Sequence, residues 1–135
     1  MGLNWVETKP AGETTKNWEA CRSSLSGLYL LAVERDLRSD KCSLYLSSNG
    51  GTSWSKIDPS GNEHSADLIA MSNSGEIMLV GYPGSRLVYQ SVNYGAAWTS
   101  IAYPGKEDEC AYLASLNISG DGVTLFVVVD ILDPK

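Results

Sequence analysis

Ser47-Ser48-Asn49-Gly50-Gly51-Thr52-Ser53-Trp54 returns 44 residues later, from Ser91, as Ser91-Val92-Asn93-Tyr94-Gly95-Ala96-Ala97-Trp98. Both tracts read S-x-N-x-G-x-x-W, and each lies between short apolar runs. Recurrence at this period is the mark of small supersecondary units placed side by side, each burying its apolar face on the next. The residue types suit a tight loop. Glycine takes positive φ without a side-chain clash, Asn49 and Asn93 offer a carboxamide oxygen to backbone amides of the turn, and Ser47 and Ser91 add a hydroxyl. Trp54 and Trp98 bring a large apolar face under the loop.

Working outward from the tracts gives strands on both sides. The first unit, about 16–57, offers strands at Trp18–Ser23, Leu28–Val33, Cys42–Leu46 and Ser53–Ile57. The second, about 64–101, offers Ala66–Met71, Glu76–Gly81, Arg86–Gln90 and Ala97–Ile101. Breaker-rich linkers follow each, Asp58-Pro59-Ser60-Gly61-Asn62 and Ala102-Tyr103-Pro104-Gly105-Lys106. Four antiparallel strands in a meander are the content of one propeller blade. The third unit, 110–135, supplies Cys110–Ser115, a turn within 117–122, Val123–Val129 and at most a stub of a third strand. Residues 3–8, around Trp5, read as an orphan outer strand like those that follow Trp54 and Trp98. The expected fold is therefore all-β, about two and a half to three propeller blades in one partial domain, 1–135. An open stack leaves apolar faces and strand edges in water. Self-association into a ring is the favoured completion, a dimer giving about six blades.

The two tracts resemble the Asp-box, or BNR, repeat of sialidase-like β-propellers, whose pattern is S-x-D-x-G-x-x-W. Ser47, Asn49, Gly51 and Trp54 match one box; Ser91, Asn93, Gly95 and Trp98 match the other, with Asn in the Asp place both times. The third unit has no box. In that family the box is a structural loop on the outside of the ring, so the resemblance implies a folding role for these eight residues.

The resemblance does not bring the sialidase catalytic set with it. The arginines are Arg22, Arg35, Arg38 and Arg86, and none stands in the family's arginine context. A glycosidase needs two facing carboxylates. Glu34, Asp36 and Asp40 instead share a charged loop with Arg35, Arg38 and Lys41 and read as a solvated hairpin end. His64, the single histidine, sits among Asn62, Glu63, Ser65 and Asp67 with no nucleophile turn near it. One histidine and three scattered cysteines make no zinc set. No cofactor and no metal are expected, and no enzyme. Cys21 and Cys110 read as small buried hydrophobes, with a Cys21–Cys42 bridge across neighbouring strands as the alternative for Cys21.

The formal net charge of -6, and the lack of any basic stretch, exclude a phosphate-tracking surface, so no nucleic-acid partner is expected. The longest apolar run, Val123–Val129, is too short to cross a bilayer. No signal peptide is visible at Met1-Gly2-Leu3-Asn4-Trp5, which leaves the cytosol or a trimmed secreted chain. The function expected is a non-catalytic binding module for glycans, lectin-like and oligomeric. Trp18 with Glu19 and Arg22, and Tyr82 with Arg86, supply aromatic platforms and polar contacts. The alternative is a structural or protein-interaction scaffold, or a fragment of a larger propeller protein such as an assembly factor.

Overall fold

The computed structural model describes residues 4–39, 41–61, 66, 68–82, 87–103 and 110–132. Ten strands form three antiparallel sheets. The first contains β1 (Trp18–Ser23), β2 (Leu30–Asp36), β3 (Lys41–Ser47) and β4 (Ser55–Ile57) in that order. The second repeats the meander with β5 (Leu68–Met71), β6 (Met78–Gly81), β7 (Leu87–Ser91) and β8 (Thr99–Ala102). The third pairs β9 (Cys110–Ile118) with β10 (Leu125–Leu132), with a register shift between Val128 and Val129. The architecture is all-β and propeller-like, with three successive sheets that do not close a ring.

Alternation along each second strand decides which side of a sheet a residue serves. Counted from the turn glycines Gly27, Gly75 and Gly122, the fourth and sixth residues are Leu31 and Val33, Leu79 and Gly81, and Phe126 and Val128. In the first two sheets these face the next sheet, and in the third they face outward. The fifth residues Val80 and Val127 face the previous sheet, and Ala32 takes the same side of the first. Leu31, Val33 and Leu44 of the first sheet accordingly pack on Ile69, Val80 and Tyr82 of the second. Ala70, Leu79 and Val88 of the second pack on Leu113, Leu116 and Ile118 of the third, joined by Val127 and Val129. Each large side chain so buried stabilises the stack by about 1.5–3 kcal/mol. The four residues of β6 are all buried because that strand has a sheet on either side.

A second fastening runs between the first hairpin turns. Ser24-Leu25-Ser26-Gly27, Ser72-Asn73-Ser74-Gly75 and Ser119-Gly120-Asp121-Gly122 fold alike. In each, the serine N–H and hydroxyl oxygen engage the residue five ahead, Tyr29, Ile77 and Thr124 respectively. The glycine N–H donates to the serine carbonyl. Successive turns are then tied backbone to backbone: Leu25 N–H donates to Asn73 O at 2.8 Å, and Asn73 N–H donates to Gly120 O at 2.8 Å.

Several expectations are corrected. Cys21 and Cys42 form no disulfide; Cys21 is exposed and Cys42 buried. Cys21 pairs with Ala32 on β2 while Cys42 lies on β3, so a whole strand separates them. Two strand spacings amount to about 10 Å, beyond disulfide reach. Glu34 is not in a solvated loop. It continues β2 and is buried, with Lys16 Nζ at 3.3 Å. Asp130 continues β10 and starts no third strand. Residues 4–9 make no strand pairing among the described residues, and Trp5 is 92% exposed. The expected positions Asp40, His64, Asp67 and Arg86 lie outside the described residues, as do 104–109 and 133–135.

Candidate functional site

The two tryptophan tracts close with the same bonds. Gly51 N–H donates to Ser47 Oγ at 2.9 Å, and Gly95 N–H donates to Ser91 Oγ at 2.8 Å. Each serine hydroxyl donates to its asparagine Oδ1 at 3.0 Å, and that oxygen also accepts from the N–H of Ser53 or Ala97 at 2.9 Å. Both indole N–H groups donate to the carbonyl of the tract glycine, Gly51 or Gly95, at 3.1 Å. The buried serines leave no donor unmatched, and the asparagine oxygen does the work a carboxylate would do without adding charge.

The surroundings of the tracts differ. A Cβ on Gly95 would meet Leu46 Cδ2 of the first sheet at 2.5 Å, whereas one on Gly51 would meet Thr8 Cγ2 at 2.9 Å. Thr8, on the extended N-terminal segment, therefore stands to the first sheet as Leu46 of β3 stands to the second. Trp98 packs into the cluster between the first two sheets. Trp54 lies at the open end, where it lines a cleft of about 720 Å3 with Thr8, Pro10, Trp18, Cys21 and Ala32.

That cleft is the candidate site, and three of the five expected ligand residues border it: Trp18, Glu19 and Arg22. Trp18 is 45% exposed and sets its ring edge against Tyr45, centroids 5.7 Å apart at 69°. Glu19 Oε1 lies 3.8 Å from Arg35 Nη1, a contact too long to hold the carboxylate in place. Arg22 donates from Nη1 to Cys21 O at 2.8 Å, using one of its five donors. Its ladder position opposite Leu31 belongs to the other face of the sheet, so it reaches the cleft only from the free edge of β1.

Tyr82 does not join them. Expected as an exposed platform, it is 3% exposed within the cluster between the first two sheets, edge-on to Tyr89 at 5.3 Å. Burial pushes its hydroxyl up to about 12, against the lowering effect of a hydrogen bond with Ser60. The aromatic belongs to the sheet interface because it is the seventh residue after Gly75, on the side turned to the previous sheet. Arg86, its expected companion, lies outside the described residues. Thr8, Pro10, Ala32 and Trp54 were missed as cleft residues. Periodicity gave the signal for Ala32 and Trp54, both on the leading face of the first sheet, with nothing in the repeat to cover it.

Among the described residues, no group of three or more His, Cys, Asp and Glu side chains is placed to hold a metal ion, and no helix is long and apolar enough to cross a membrane. No family model matches the chain, and no curated protein matches it. A solved structure, YCF48 bound to D1 peptide, is similar, with a TM-score of 0.54 and 12% sequence identity over 93% of this chain and 46% of that one. The chain thus spans less than half the length of that protein, and the likeness is one of fold: an open run of propeller-type sheets.

Proposed function

We propose that this chain is a non-catalytic protein-interaction module, a run of Asp-box blades whose uncovered leading face receives polypeptide. In this reading the blades are 16–57, 64–101 and 110–135, and residues 3–8 are outer-strand sequence awaiting neighbours. The carrying observation is the cleft over Trp18, Cys21, Ala32 and Trp54, apolar at its floor and bordered by Glu19 and Arg22. β1 is a sheet edge along that cleft, mostly exposed. An extended segment laid there gains main-chain hydrogen bonds from the edge and side-chain contacts from alternate positions. Trp18 supplies the rigid aromatic anchor that such interfaces favour. The serine, asparagine, glycine and indole bonds common to the two tracts support the Asp-box relation, since they form a loop cap with Asn in the carboxylate's place.

The likeness to a propeller solved with a peptide bound supports the protein-interaction reading over the glycan-binding one. The test is titration of the purified chain with arrays of extended peptides and of glycans, read by tryptophan fluorescence. Saturable binding to a peptide, lost in Trp18→Ala with the far-UV spectrum unchanged, is expected. Glycan binding lost in the same variant would restore the lectin-like function. Absence of saturable binding to either array, at a dilution where light scattering shows single chains, would remove the Trp18 cleft as a ligand site.

A further inference from the structure

The two ends of the stack are unequal and complementary. Phe126 and Val128 on β10 are 58% and 54% exposed, yet they hold the register positions of Leu31 and Val33, which are fully buried under the second sheet. Tyr112, on the same side of the third sheet, is also exposed. At the opposite end Thr8 and Pro10 lie over the outer part of the first sheet's leading face, beside Gly51 and Trp54, and Lys16 meets the buried Glu34. Between them is the open cleft, where Trp18 and Cys21 are exposed and Ala32 is buried at the floor. The third sheet has two strands, β9 and β10, the counterparts of β1 and β2. What one end lacks, an inner pair of strands, the other presents.

The turn fastening ends in the same complementary way. Each turn's second residue donates its N–H to the carbonyl of its counterpart in the following sheet, Leu25 to Asn73 and Asn73 to Gly120. Gly120 N–H and the Leu25 carbonyl, the two terminal members, have no partner among the described residues. Trp5 fits the same register, since it stands 13 residues before Trp18, while Trp54 stands 14 before Leu68 and Trp98 stands 12 before Cys110.

We propose that a second copy of this chain docks head to tail, its β9–β10 face seated on the leading face of the first sheet. Phe126 and Val128 of one copy cover Ala32 and Cys21 of the other, and Gly120 N–H donates to the Leu25 carbonyl. The N-terminal segment at Trp5 then supplies outer-strand chain to the partner's two-stranded sheet. The contact continues an interface already made twice within the chain, and it joins unlike faces, so it propagates until a ring closes. It rests on the reading that the leading face receives polypeptide, and it names the polypeptide.

Light scattering coupled to size exclusion is expected to show an assembly larger than one chain, reduced to monomer by Val128→Asp with the far-UV spectrum unchanged. Cys21 is exposed and gives a direct probe of register. Val128→Cys is expected to form an intermolecular disulfide that Cys21→Ser abolishes. A monomer at the highest soluble concentration overturns the proposal, and so does an assembly that Val128→Asp leaves intact. A monomer that still binds a peptide through Trp18 overturns the second copy alone and leaves the protein-interaction function standing.

Discussion

The tracts at Ser47–Trp54 and Ser91–Trp98 share the bonds of serine, asparagine oxygen, glycine and indole, and keep different company. The second closes onto Leu46 and the buried cluster between two sheets; the first closes onto Thr8 and a cleft. A loop motif can thus be complete in itself while its contribution to stability is set by what lies across from it. The register position of Tyr82 carries the same lesson. In the second sheet it is a buried aromatic, and in the first the equivalent residue is Glu34, met by Lys16.

Substituting the tract glycines should give the largest loss and separate the two surroundings. Gly51 and Gly95 both have a φ of 84°, so alanine at either strains the backbone. At Gly95 it also drives into Leu46, where the packed interface cannot yield. Gly95→Ala is expected to cost about 3 kcal/mol and Gly51→Ala about 1.5 kcal/mol, from left-handed strain plus overpacking. Urea unfolding midpoints check this, and equal losses would show that Thr8 confines the first tract as tightly as Leu46 confines the second.

The tryptophans come next. Trp98→Ala removes a contact to the inter-sheet cluster and is expected to cost about 2.5 kcal/mol, below the value for a fully buried ring. Trp54→Ala, at the open cleft, is expected to cost about 1 kcal/mol. Should the chain assemble through its leading face, dilution to monomer would widen this gap, and assembly would narrow it.

For the serines the contrast should vanish. Ser47→Ala and Ser91→Ala each orphan a glycine N–H and take one of the two donors from the asparagine Oδ1, at about 1–2 kcal/mol apiece. Their thermal midpoints are expected to fall together, because the bonds they lose have the same geometry.

The smallest effect concerns acid. In the third turn a carboxylate, Asp121, occupies the place of Ser26 and Ser74. The Ser119 hydroxyl and then the Val123 N–H hold its titration below the usual 3.8. A depressed folded value means the stabilisation is present above pH 3.8 and is lost as pH falls through the lower folded value. Asp121→Asn is expected to flatten the stability profile of the third sheet below pH 4, with a slight loss at neutral pH that disappears in acid, as read by hydrogen exchange at β9 and β10. The fully exposed site makes the effect slight.

How much of this was legible depends on what kind of signal each part carried. The meanders flanking the tracts were readable because β3 and β7 run straight into loop residues of unmistakable chemistry. The serine turns were not recognised as a repeat. Ser24 to Ser72 is 48 residues and Ser72 to Ser119 is 47, but only serine and the final glycine recur, and the bond between sheets is made by backbone. Glu34 misled for a local reason: its charged neighbours suggested a loop, whereas a lysine 18 residues earlier accounts for its burial. Within the candidate site, Trp18 was readable as an aromatic platform at the start of a first strand, with Glu19 and Arg22 as its polar contacts. Thr8 and Pro10 carried no chemistry of their own, and their role comes only from where the extended segment lies. Tyr82 looked exposed because it adjoins a Pro-Gly loop; alternation along β6 would have turned it inward.

The turn-to-turn bonds have one further consequence. Leu25, Asn73 and Gly120 share no side-chain chemistry, yet each offers its neighbour the same amide or carbonyl. A fastening of that kind rests on main-chain groups, so at Leu25 and Asn73 it survives a change of side chain that keeps the N–H, whereas at Gly120 a Cβ would meet Asn73. Units can therefore be duplicated, deleted or exchanged between genes without rewriting the seam, and the number of blades becomes something that evolution, or a protein engineer, can simply count up or down.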